Sequence, residues 1–336
     1  SRLAALLNQF CEKTILVLGD VMLDRFIWGN VSRISPEAPV PVVHVTDESA
    51  YPGGAANVAR NLLPFAGKVH VMGLIGTGPQ GDLLLENFQK EGLETDQLLR
   101  DEDYETIVKT RVVARNQQIV RIDRETPRAI SEAAVDQLLA KVQALAPEID
   151  GIVLEDYGKG LLSQRLVDGV VALAKSHDLC VTVDPNPNNP IKWAGVTAVK
   201  PNRSEAFQVS GVAEQVLSKD LTVDPTLLEV GSRLRERWSC EHLVITLGEL
   251  GMVLLSDGSD MIYHVPPKAR DVFDVSGAGD TAIALFTLAL CSGASACEAT
   301  ALSNHASSLV VGKVGTATIS PEELIAAIAA DRNQIQ

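Results

Sequence analysis

Short apolar runs alternate with amphipathic stretches along most of the chain. Six apolar runs have the length of buried strands: 14–18, 69–75, 151–154, 179–183, 198–199 and 243–246. Five stretches between them repeat apolar residues with helical spacing: 54–63, 80–90, 131–144, 164–176 and 227–238. This alternation predicts an α/β fold in which a mostly parallel central sheet is covered by helices on both faces.

Two regions break this alternation. The first, about 24–46, holds two β-rich pieces around a proline-containing turn, and the second, 105–123, holds two more around a polar turn at Asn116 and Gln117. Consecutive β-rich pieces without an intervening helix predict a small antiparallel sheet, a lid that stands off the main domain. No Gly/Ser linker separates two independent units, so the sequence predicts a single domain over 1–336 that includes the lid.

The composition narrows the function classes. Of the 336 residues, 46% are hydrophobic and 21% are charged, which is typical of a globular protein, and the net charge of −14 argues against a nucleic-acid partner. The most apolar stretch, 282–291, is too short to span a bilayer, and the N-terminus lacks the apolar segment of a signal peptide. The five cysteines are scattered, which favours a reducing compartment. We therefore expect a cytoplasmic protein without membrane contact.

The strongest chemical signal is the run from Asp274 to Asp280, which leads directly into the apolar helix. Gly277, Ala278 and Gly279 allow a tight turn, and the first N–H groups of the helix lack partners within it. Together with the helix dipole they form an anion hole suited to a transferring phosphoryl group. Asp280 stands beside this hole, where it could accept a proton from an attacking hydroxyl. The alternative is a plain glycine-rich turn with Asp280 as a helix cap.

This run resembles the C-terminal signature of the ribokinase-like (PfkB-type) carbohydrate kinases, and residues 53–59 resemble their N-terminal signature. The resemblance covers about 14–323 and implies a ribokinase-like three-layer domain with a small antiparallel β lid. It implies ATP and Mg²⁺ as cofactors, with a monovalent cation as a further candidate. It also implies that Asp280 is the catalytic base. In this family the paired glycines approach the sugar and the asparagine binds a hydroxyl, here Gly53, Gly54 and Asn57.

The same resemblance suggests nucleotide-side residues. The run 200–205 is similar to the Asn-x-x-Glu element that organises Mg²⁺ and phosphate, with Asn202 and Glu205 in its two positions and Glu205 as the metal candidate. A helix N-cap with its capping carboxylate is the alternative. The run 246–251 matches the nucleotide-side turn, and Asn304 lies on the helix that lines the adenine pocket in this family. The residues concerned are Thr246, Gly248, Gly251 and Asn304. A plain hairpin is the alternative for the turn.

The N-terminal part resembles one subfamily, the heptose 7-phosphate kinases, in the runs 19–25, 32–43 and 115–118, and 156–160 fits the same group. These enzymes transfer phosphate to O1 of D-glycero-β-D-manno-heptose 7-phosphate in the ADP-heptose pathway of lipopolysaccharide assembly. The resemblance implies substrate contacts from Asp20, Asp24, Arg115, Gln117, Asp156 and Lys159. Asp20 also follows a strand at the edge where α/β sheets bind ligands, although a strand-ending cap is the alternative.

The predicted lid strand at 105–114 has one cationic and one apolar face. Alternation places Lys109, Arg111 and Arg115 on one face, and Val108 and Val112 on the other. The cationic face could hold a substrate phosphate, through Arg111 or Arg115, or could be an ordinary solvated face. The apolar face would be partly exposed in a monomer, so we expect a homodimer through the lid, as in ribokinase-like relatives.

Two competing functions remain open. Residues 76–81 match GxGxxG between a strand and a helix, the fingerprint of dinucleotide-binding oxidoreductases, but Asp101, the candidate ribose-binding acid, follows a weak strand. A fructose, ribose or nucleoside kinase would share the two signatures without needing a phosphate-binding face. The six histidines form no His-x-Gly-His element of a nucleotidyltransferase, so we expect kinase activity only.

Replacement of the predicted base tests its role. Asp280→Asn preserves the size of the side chain but removes the proton acceptor, so phosphoryl transfer should fall by about 10²–10⁴-fold. ATP binding should be nearly unchanged, because the carboxylate is needed only for the reacting hydroxyl. Steady-state turnover and a titration with ATP measure the two effects. Near-normal turnover would contradict the assignment.

Overall fold

A computed structural model of the chain describes residues 2–115, 117–126, 128–256, 261–268, 275–313 and 317–332. Asn116 and Asp274, which belong to two of the sequence motifs, lie outside the described residues. The strands are β1 Thr14–Gly19, β2 Val21–Ile34, β3 Pro41–Gly54, β4 Lys68–Met72, β5 Leu74–Gly76, β6 Leu99–Asp101, β7 Ile107–Ala114, β8 Gln117–Arg124, β9 Gly151–Glu155, β10 Cys180–Asp184, β11 Ala198–Val199, β12 His242–Thr246, β13 Met252–Ser256 and β14 Tyr263–Val265. The helices are α1 Arg2–Phe10, α2 Ala55–Leu62, α3 Pro79–Lys90, α4 Glu132–Leu145, α5 Gln164–Ser176, α6 Arg203–Ser210, α7 Pro225–Trp238, α8 Ala278–Cys291, α9 Ala296–Val310 and α10 Pro321–Arg332.

Eight strands form the central sheet, in the order β14-β13-β12-β11-β10-β9-β1-β4. The pairings from β12 to β4 are parallel, and β13 and β14 add antiparallel pairings at one edge. Alternate residues of β1 belong to two different cores: Leu16 and Leu18 pack with α4–α7, and Ile15 and Val17 pack with α1, α2 and α8–α10. Helices therefore cover both faces, which confirms the predicted three-layer α/β architecture.

The lid is a second sheet of four strands in the order β3-β2-β7-β8. Its two outer pairings are antiparallel, as expected, whereas the central β2–β7 pairing is parallel. The first pair of lid strands, which spans 21–54, extends beyond the predicted 24–46, whereas the second pair, 107–124, matches the predicted 105–123 closely. A single residue, Asp20, separates β1 from β2, and β3 runs directly into α2. The lid is therefore continuous with the carboxyl edge of the central sheet.

The base of the lid packs against the main domain. Val108 is 4% exposed and Val112 is 8% exposed, and Val108 belongs to the core that contains α3 residues Leu84 and Phe88. The expectation that Val108 and Val112 stay open in a monomer is therefore wrong, because the chain already covers them. Exposed apolar side chains of the lid lie farther out, at Ile34, Val40, Val45, Val120 and Ile122.

The GxGxxG run is part of a tightly packed loop. Gly76 ends β5, which pairs with β6 in a separate two-stranded sheet. A Cβ on Gly76 would lie 2.3 Å from the carbonyl oxygen of Tyr104, and a Cβ on Gly81 would lie 2.0 Å from that of Gly76. Close backbone packing therefore explains these glycines without a dinucleotide. The oxidoreductase hypothesis loses its structural support.

The apolar helix α8 lies in the interior, as predicted. Its residues 281–289 are all buried, and it packs against α2, α9, β9 and β10. The hydroxyls of Thr287 and Thr182 lie 2.6 Å apart, and Thr287 also donates to the Ile283 carbonyl, so the polar groups here are satisfied. This packing fixes the N-terminus of α8 above the sheet. Within the described ranges, no helix has both the length and the apolar character needed to cross a membrane.

Candidate active site

The candidate active site is centred on the N-terminus of α8. Gly277 precedes the helix with φ of +78°, a left-handed conformation that favours glycine. Ala278 and Gly279 then form the first turn, in which the Ala278 N–H donates to the Val275 carbonyl at 3.3 Å. The helix dipole makes this end attractive to an anion. The role of Gly277, Ala278 and Gly279 as an anion hole stays a prediction.

Two side chains from different elements contact the carboxylate of Asp280. Asn57 of α2 donates a hydrogen bond from Nδ2 to Oδ2, and the Tyr157 hydroxyl, from the loop after β9, donates to Oδ1 at 3.2 Å. Burial raises the pKa of Asp280 to about 6; the Asn57 hydrogen bond opposes this rise and the nearby Asp184 adds to it. An oriented carboxylate with a raised pKa suits the role of a general base.

The turn into α2 explains why glycines precede Asn57. Gly54 has φ of +64°, and a Cβ there would lie 2.3 Å from the carbonyl oxygen of Asp20. A Cβ on Gly53 would lie 1.9 Å from Oδ2 of Asp24. Both positions therefore need glycine because other groups approach the backbone closely. Asn57 contacts Asp280 in this structure, and its predicted contact with a sugar hydroxyl stays a prediction.

Glu155 and Asp184 lie beside Asp280, and each of the three offers a carboxylate oxygen within 4.8 Å of the others. Glu155 is 3% exposed, and its Oε2 is buried and has no hydrogen-bond partner among the described residues. Burial, and then the charge of Asp184, raise the pKa of Glu155 well above its usual range. A group of carboxylate oxygens suits Mg²⁺, and a cation would satisfy the unpartnered oxygen of Glu155.

Lys200 places a positive charge beneath the glycine turn. Its ammonium lies 2.8 Å from Oδ2 of Asp184, and the side chain is 3% exposed. The pKa of Lys200 is raised: burial works against the charged form, but the Asp184 carboxylate favours it. A Cβ on Gly279 would lie 3.6 Å from Nζ of Lys200. The ammonium can therefore add to the positive field of the anion hole.

Asp20 caps the loop after β9. It is 2% exposed, and its carboxylate accepts backbone hydrogen bonds from Tyr157 at 3.1 Å, Lys159 at 3.0 Å and Leu161 at 3.2 Å. The carboxylate therefore holds this loop, as the strand-ending alternative expects. Its predicted contact with sugar hydroxyls stays a prediction.

Asp156 and Lys159 anchor the same loop to its surroundings. Asp156 is 6% exposed and accepts hydrogen bonds from the Gly158 N–H at 2.8 Å and from Nδ2 of Asn189 at 2.9 Å. Burial raises the pKa of Asp156 to about 7. Lys159 pairs with Glu125, just beyond β8, at 2.7 Å. Asp156 thus has a structural role here, and Lys159 connects the loop to the lid.

The lid contributes positive charge to the site. Nζ of Lys109 lies 5.6 Å from the centre of the Tyr157 ring, and Arg111 forms an ion pair with Asp24. Asp24 in turn lies against Gly53. The structure therefore brings Asp24, Gly53 and Arg111 together, and it places Lys109 over the ring of Tyr157, whose hydroxyl contacts Asp280.

Arg115 and Gln117 lie at the outer end of the lid. Gln117 pairs with Ala114, and Arg115 occupies the intervening turn with φ of +50°. Six residues of extended chain separate Arg115 from Lys109, which corresponds to about 20 Å. The structure does not bring Arg115 or Gln117 to Asp280 within one chain. Their predicted contact with substrate stays a prediction.

On the nucleotide side, Asn202 and Glu205 form a capping box at the start of α6. The Glu205 N–H donates to Oδ1 of Asn202 at 2.9 Å, and the Asn202 N–H donates to Oε2 of Glu205 at 2.7 Å. The two residues therefore form the helix N-cap and capping carboxylate that the sequence analysis gave as the alternative. Glu205 does not belong to the cluster of three acids formed by Glu155, Asp184 and Asp280. Its role with Mg²⁺ and that of Asn202 with phosphate stay predictions.

The predicted nucleotide turn connects β12, which ends at Thr246, to β13. Gly248 and Gly251 have φ of +60° and +86°, and a Cβ on Gly251 would lie 2.2 Å from the carbonyl oxygen of Val265. Asn304 of α9 is 4% exposed and donates to the Pro266 carbonyl at 2.9 Å. Beside the turn lies a cavity of about 450 Å³. These residues shape the turn and the adjoining loop, and their contact with ATP stays a prediction.

The sequence interpretation omitted four residues of this site: Glu155, Tyr157, Asp184 and Lys200. Glu155 and Asp184 end β9 and β10, and Lys200 follows β11, all at the carboxyl edge of the sheet. The same positional signal had selected Asp20, and applying it to every strand would have found these three. Nothing in the local sequence indicates the direction of the Tyr157 phenol.

Comparison with known proteins identifies the family. The profile of the pfkB family carbohydrate kinases matches residues 12–323. The bifunctional protein HldE of Desulfatibacillum aliphaticivorans is 42% identical over 317 residues, which cover 94% of this chain and 63% of that protein. HldE of Geobacter metallireducens is 42% identical over 311 residues, or 92% of this chain and 62% of that protein. The chain thus spans less than two thirds of the length of these relatives.

Solved structures share the fold at low sequence identity. Phosphofructokinase-2 from Escherichia coli in complex with potassium superposes with a TM-score of 0.72 and 19% identity over 95% of this chain and 98% of that one. Arabidopsis thaliana ribokinase complexed with ribose and ATP superposes with a TM-score of 0.69 and 16% identity, over 94% of this chain and 98% of that one. The family match over most of the sequence, the HldE relatives and this shared fold establish that the chain belongs to the pfkB family of carbohydrate kinases.

Proposed function

We propose that this carbohydrate kinase transfers the γ-phosphoryl group of ATP to O1 of D-glycero-β-D-manno-heptose 7-phosphate. The observation that carries the proposal is the position of Asp280, which lies oriented and half-buried at the N-terminus of α8 beside the glycine turn. The resemblance of residues 19–25, 32–43 and 156–160 to heptose 7-phosphate kinases favours this sugar. The positive charge of the lid supports a substrate that carries its own phosphate.

In the proposed reaction, Asp280 accepts the proton of O1 while that oxygen attacks the γ-phosphorus and the bond to the departing ADP breaks. An ionised carboxylate can accept about four hydrogen bonds, so the contact from Asn57 leaves room for the sugar hydroxyl. The N–H groups of the turn around Gly279 and the ammonium of Lys200 stabilise charge on the transferring group.

Glu155 and Asp184 are the residues that we propose to hold Mg²⁺, and Glu205 remains a further candidate from the Asn-x-x-Glu resemblance. The unpartnered buried Oε2 of Glu155 fits such a cation. When bound, Mg²⁺ neutralises phosphate oxygens and helps to orient them for in-line transfer. The use of ATP, together with five cysteines scattered along the chain, favours action in the cytoplasm.

The 7-phosphate is proposed to bind between the lid and the loop after β9. Burial lowers the pKa of Lys109, and the nearby charge of Lys159 lowers it further. Two adjacent ammonium groups in a chain of net charge −14 favour an anionic ligand at that position. Asp24 and Glu125, which pair with Arg111 and Lys159, would share those partners with the phosphate.

Substrate preference tests the proposed function. The ratio kcat/KM for heptose 7-phosphate should exceed those for fructose, ribose and adenosine by about 10²-fold, because each hydrogen bond between charged groups contributes about 1.5–3 kcal/mol. ADP release measured across this panel gives the ratios. Preference for an unphosphorylated sugar would overturn the heptose assignment and leave the family activity intact.

Removal of lid cations tests the phosphate site. Lys109→Ala and Arg111→Ala should each raise KM for heptose 7-phosphate by about 10–100-fold, the equivalent of one charged hydrogen bond. The effect on kcat should be smaller, because the 7-phosphate binds similarly in the ground and transition states. KM for ATP should change little. Arg115→Ala tests the prediction that Arg115, in the outer turn of the lid, binds the substrate phosphate.

Arg124→Ala is the matched control, because Arg124 lies opposite Val108 in β8 and therefore on the other face of the lid. It should leave the sugar KM unchanged. Equal effects from Arg124→Ala and Lys109→Ala would indicate a general electrostatic effect of the lid. If no lid cation alters the sugar KM, the phosphate site lies elsewhere.

The lid is also the proposed interface of a homodimer. Val120 and Ile122 are 47% and 55% exposed, and they lie opposite Val112 and Thr110 on the face away from Lys109. Covering this face in a second copy would bury apolar area and protect the strand edges. Among structural relatives, phosphofructokinase-2 from Escherichia coli has a tetrameric inhibited form.

Light scattering should give a mass near twice 35.9 kDa at micromolar concentration. Ile122→Asp should shift the equilibrium toward monomer by at least about tenfold, because it would bury an unpaired charge at the interface. Val223→Asp, at an exposed valine outside the lid, should have no effect. A monomeric parent protein, or an equal response to both substitutions, would count against this interface.

A further inference from the structure

Tyr157 joins the candidate base to the rest of the site. Its hydroxyl lies 3.2 Å from Oδ1 of Asp280, and the ammonium of Lys109 lies over its ring. The phenol is the donor in this hydrogen bond, because an ionised carboxylate can only accept.

The backbone that carries the phenol is held firmly. The Tyr157 N–H donates to the buried carboxylate of Asp20, and the N–H groups of Lys159 and Leu161 do the same. Gly158 and Gly160 have φ of +66° and +103°, which lets three N–H groups of this short loop converge on one carboxylate. The backbone from which the phenol extends is thus held by the main domain through contacts that do not involve Asp280.

Asp280 needs such a donor because its own side chain is easily reoriented. Rotation about the terminal torsion of an aspartate is soft, and one hydrogen bond from Asn57 to Oδ2 leaves the plane of the carboxylate free to turn. Glu155 and Asp184 repel Asp280, whereas Lys200 attracts it. These charges would pull an unfixed carboxylate toward the Lys200 side of the site.

We propose that Tyr157 is a positioning residue for phosphoryl transfer, whose hydroxyl fixes Oδ1 of Asp280 so that the carboxylate faces the sugar hydroxyl. This inference rests on the proposed role of Asp280 as the base. Near-attack geometry has a large effect on rate, and a rotated base loses its alignment with the O–H bond that it must break.

Tyr157→Phe removes the donor but retains the ring beneath Lys109. We expect kcat to fall by about 10–100-fold, as for the loss of one hydrogen bond to a charged group. KM for the sugar and for ATP should stay within about twofold, because the substitution does not remove a substrate contact. Tyr104→Phe is the matched control: Tyr104 is 8% exposed and makes no hydrogen bond to Asp280 among the described residues. It should leave kcat unchanged.

A double substitution separates positioning from a general structural effect. In an Asp280→Asn background, Tyr157→Phe should lower kcat by less than about twofold, because residues that act through one another are not additive. A loss as large as that in the parent would show that Tyr157 acts independently of the base and would overturn the proposal. So would an unchanged kcat, or a rise in KM without a change in kcat.

The outcome for Tyr157 is distinguishable from that of the proposed function. If the parent does not phosphorylate heptose 7-phosphate, that function is wrong, and the same comparison is made with the sugar that the parent does phosphorylate. Crystal structures of the parent and of Tyr157→Phe give a readout without activity. We expect the Asp280 carboxylate to be rotated in the variant, and an identical orientation in both would overturn the proposal.

Discussion

The geometry of the site depends on Asp20, the buried residue between β1 and β2. Its N–H donates to the Glu155 carbonyl, its own carbonyl accepts the Ala55 N–H at the start of α2, and its carboxylate accepts the N–H groups of Tyr157 and Lys159. Burial raises the pKa of this carboxyl, and the backbone donors oppose the rise. One residue therefore joins the central sheet, the lid, α2 and the loop after β9, and its loss would leave several buried amides unpaired.

The site also resolves an electrostatic conflict. A chain of net charge −14 must bind anionic phosphates beside the acids Glu155, Asp184 and Asp280. In the proposed reaction, the local positive potential comes from the N-terminus of α8 and from Lys200, which is buried under the glycine turn. Because charges interact more strongly where water is excluded, these few groups outweigh the distant acidic surface.

Much of the fold could be predicted from local pattern, because buried parallel strands and amphipathic helices differ in length and periodicity. The apolar helix α8 and most strand positions followed from it. The parallel β2–β7 pairing could not be predicted, because the two strands are separated in the chain by two helices, α2 and α3, and by strands of the main domain. The burial of Val108 and Val112 depends on how the base of the lid packs against that domain, and strand alternation gives only the face of each residue.

For the site, the sequence by itself determined the turn from Gly277 to Asp280, because its small residues and the helix after it act over a few neighbouring positions. Only the tertiary structure decided which groups meet there. Tyr157 reaches Asp280 across 123 positions of the chain, and Asp20 holds Tyr157 across 137. These contacts depend on the strand order β10-β9-β1 and on the direction of each side chain, and neither is encoded in the pattern around a single residue.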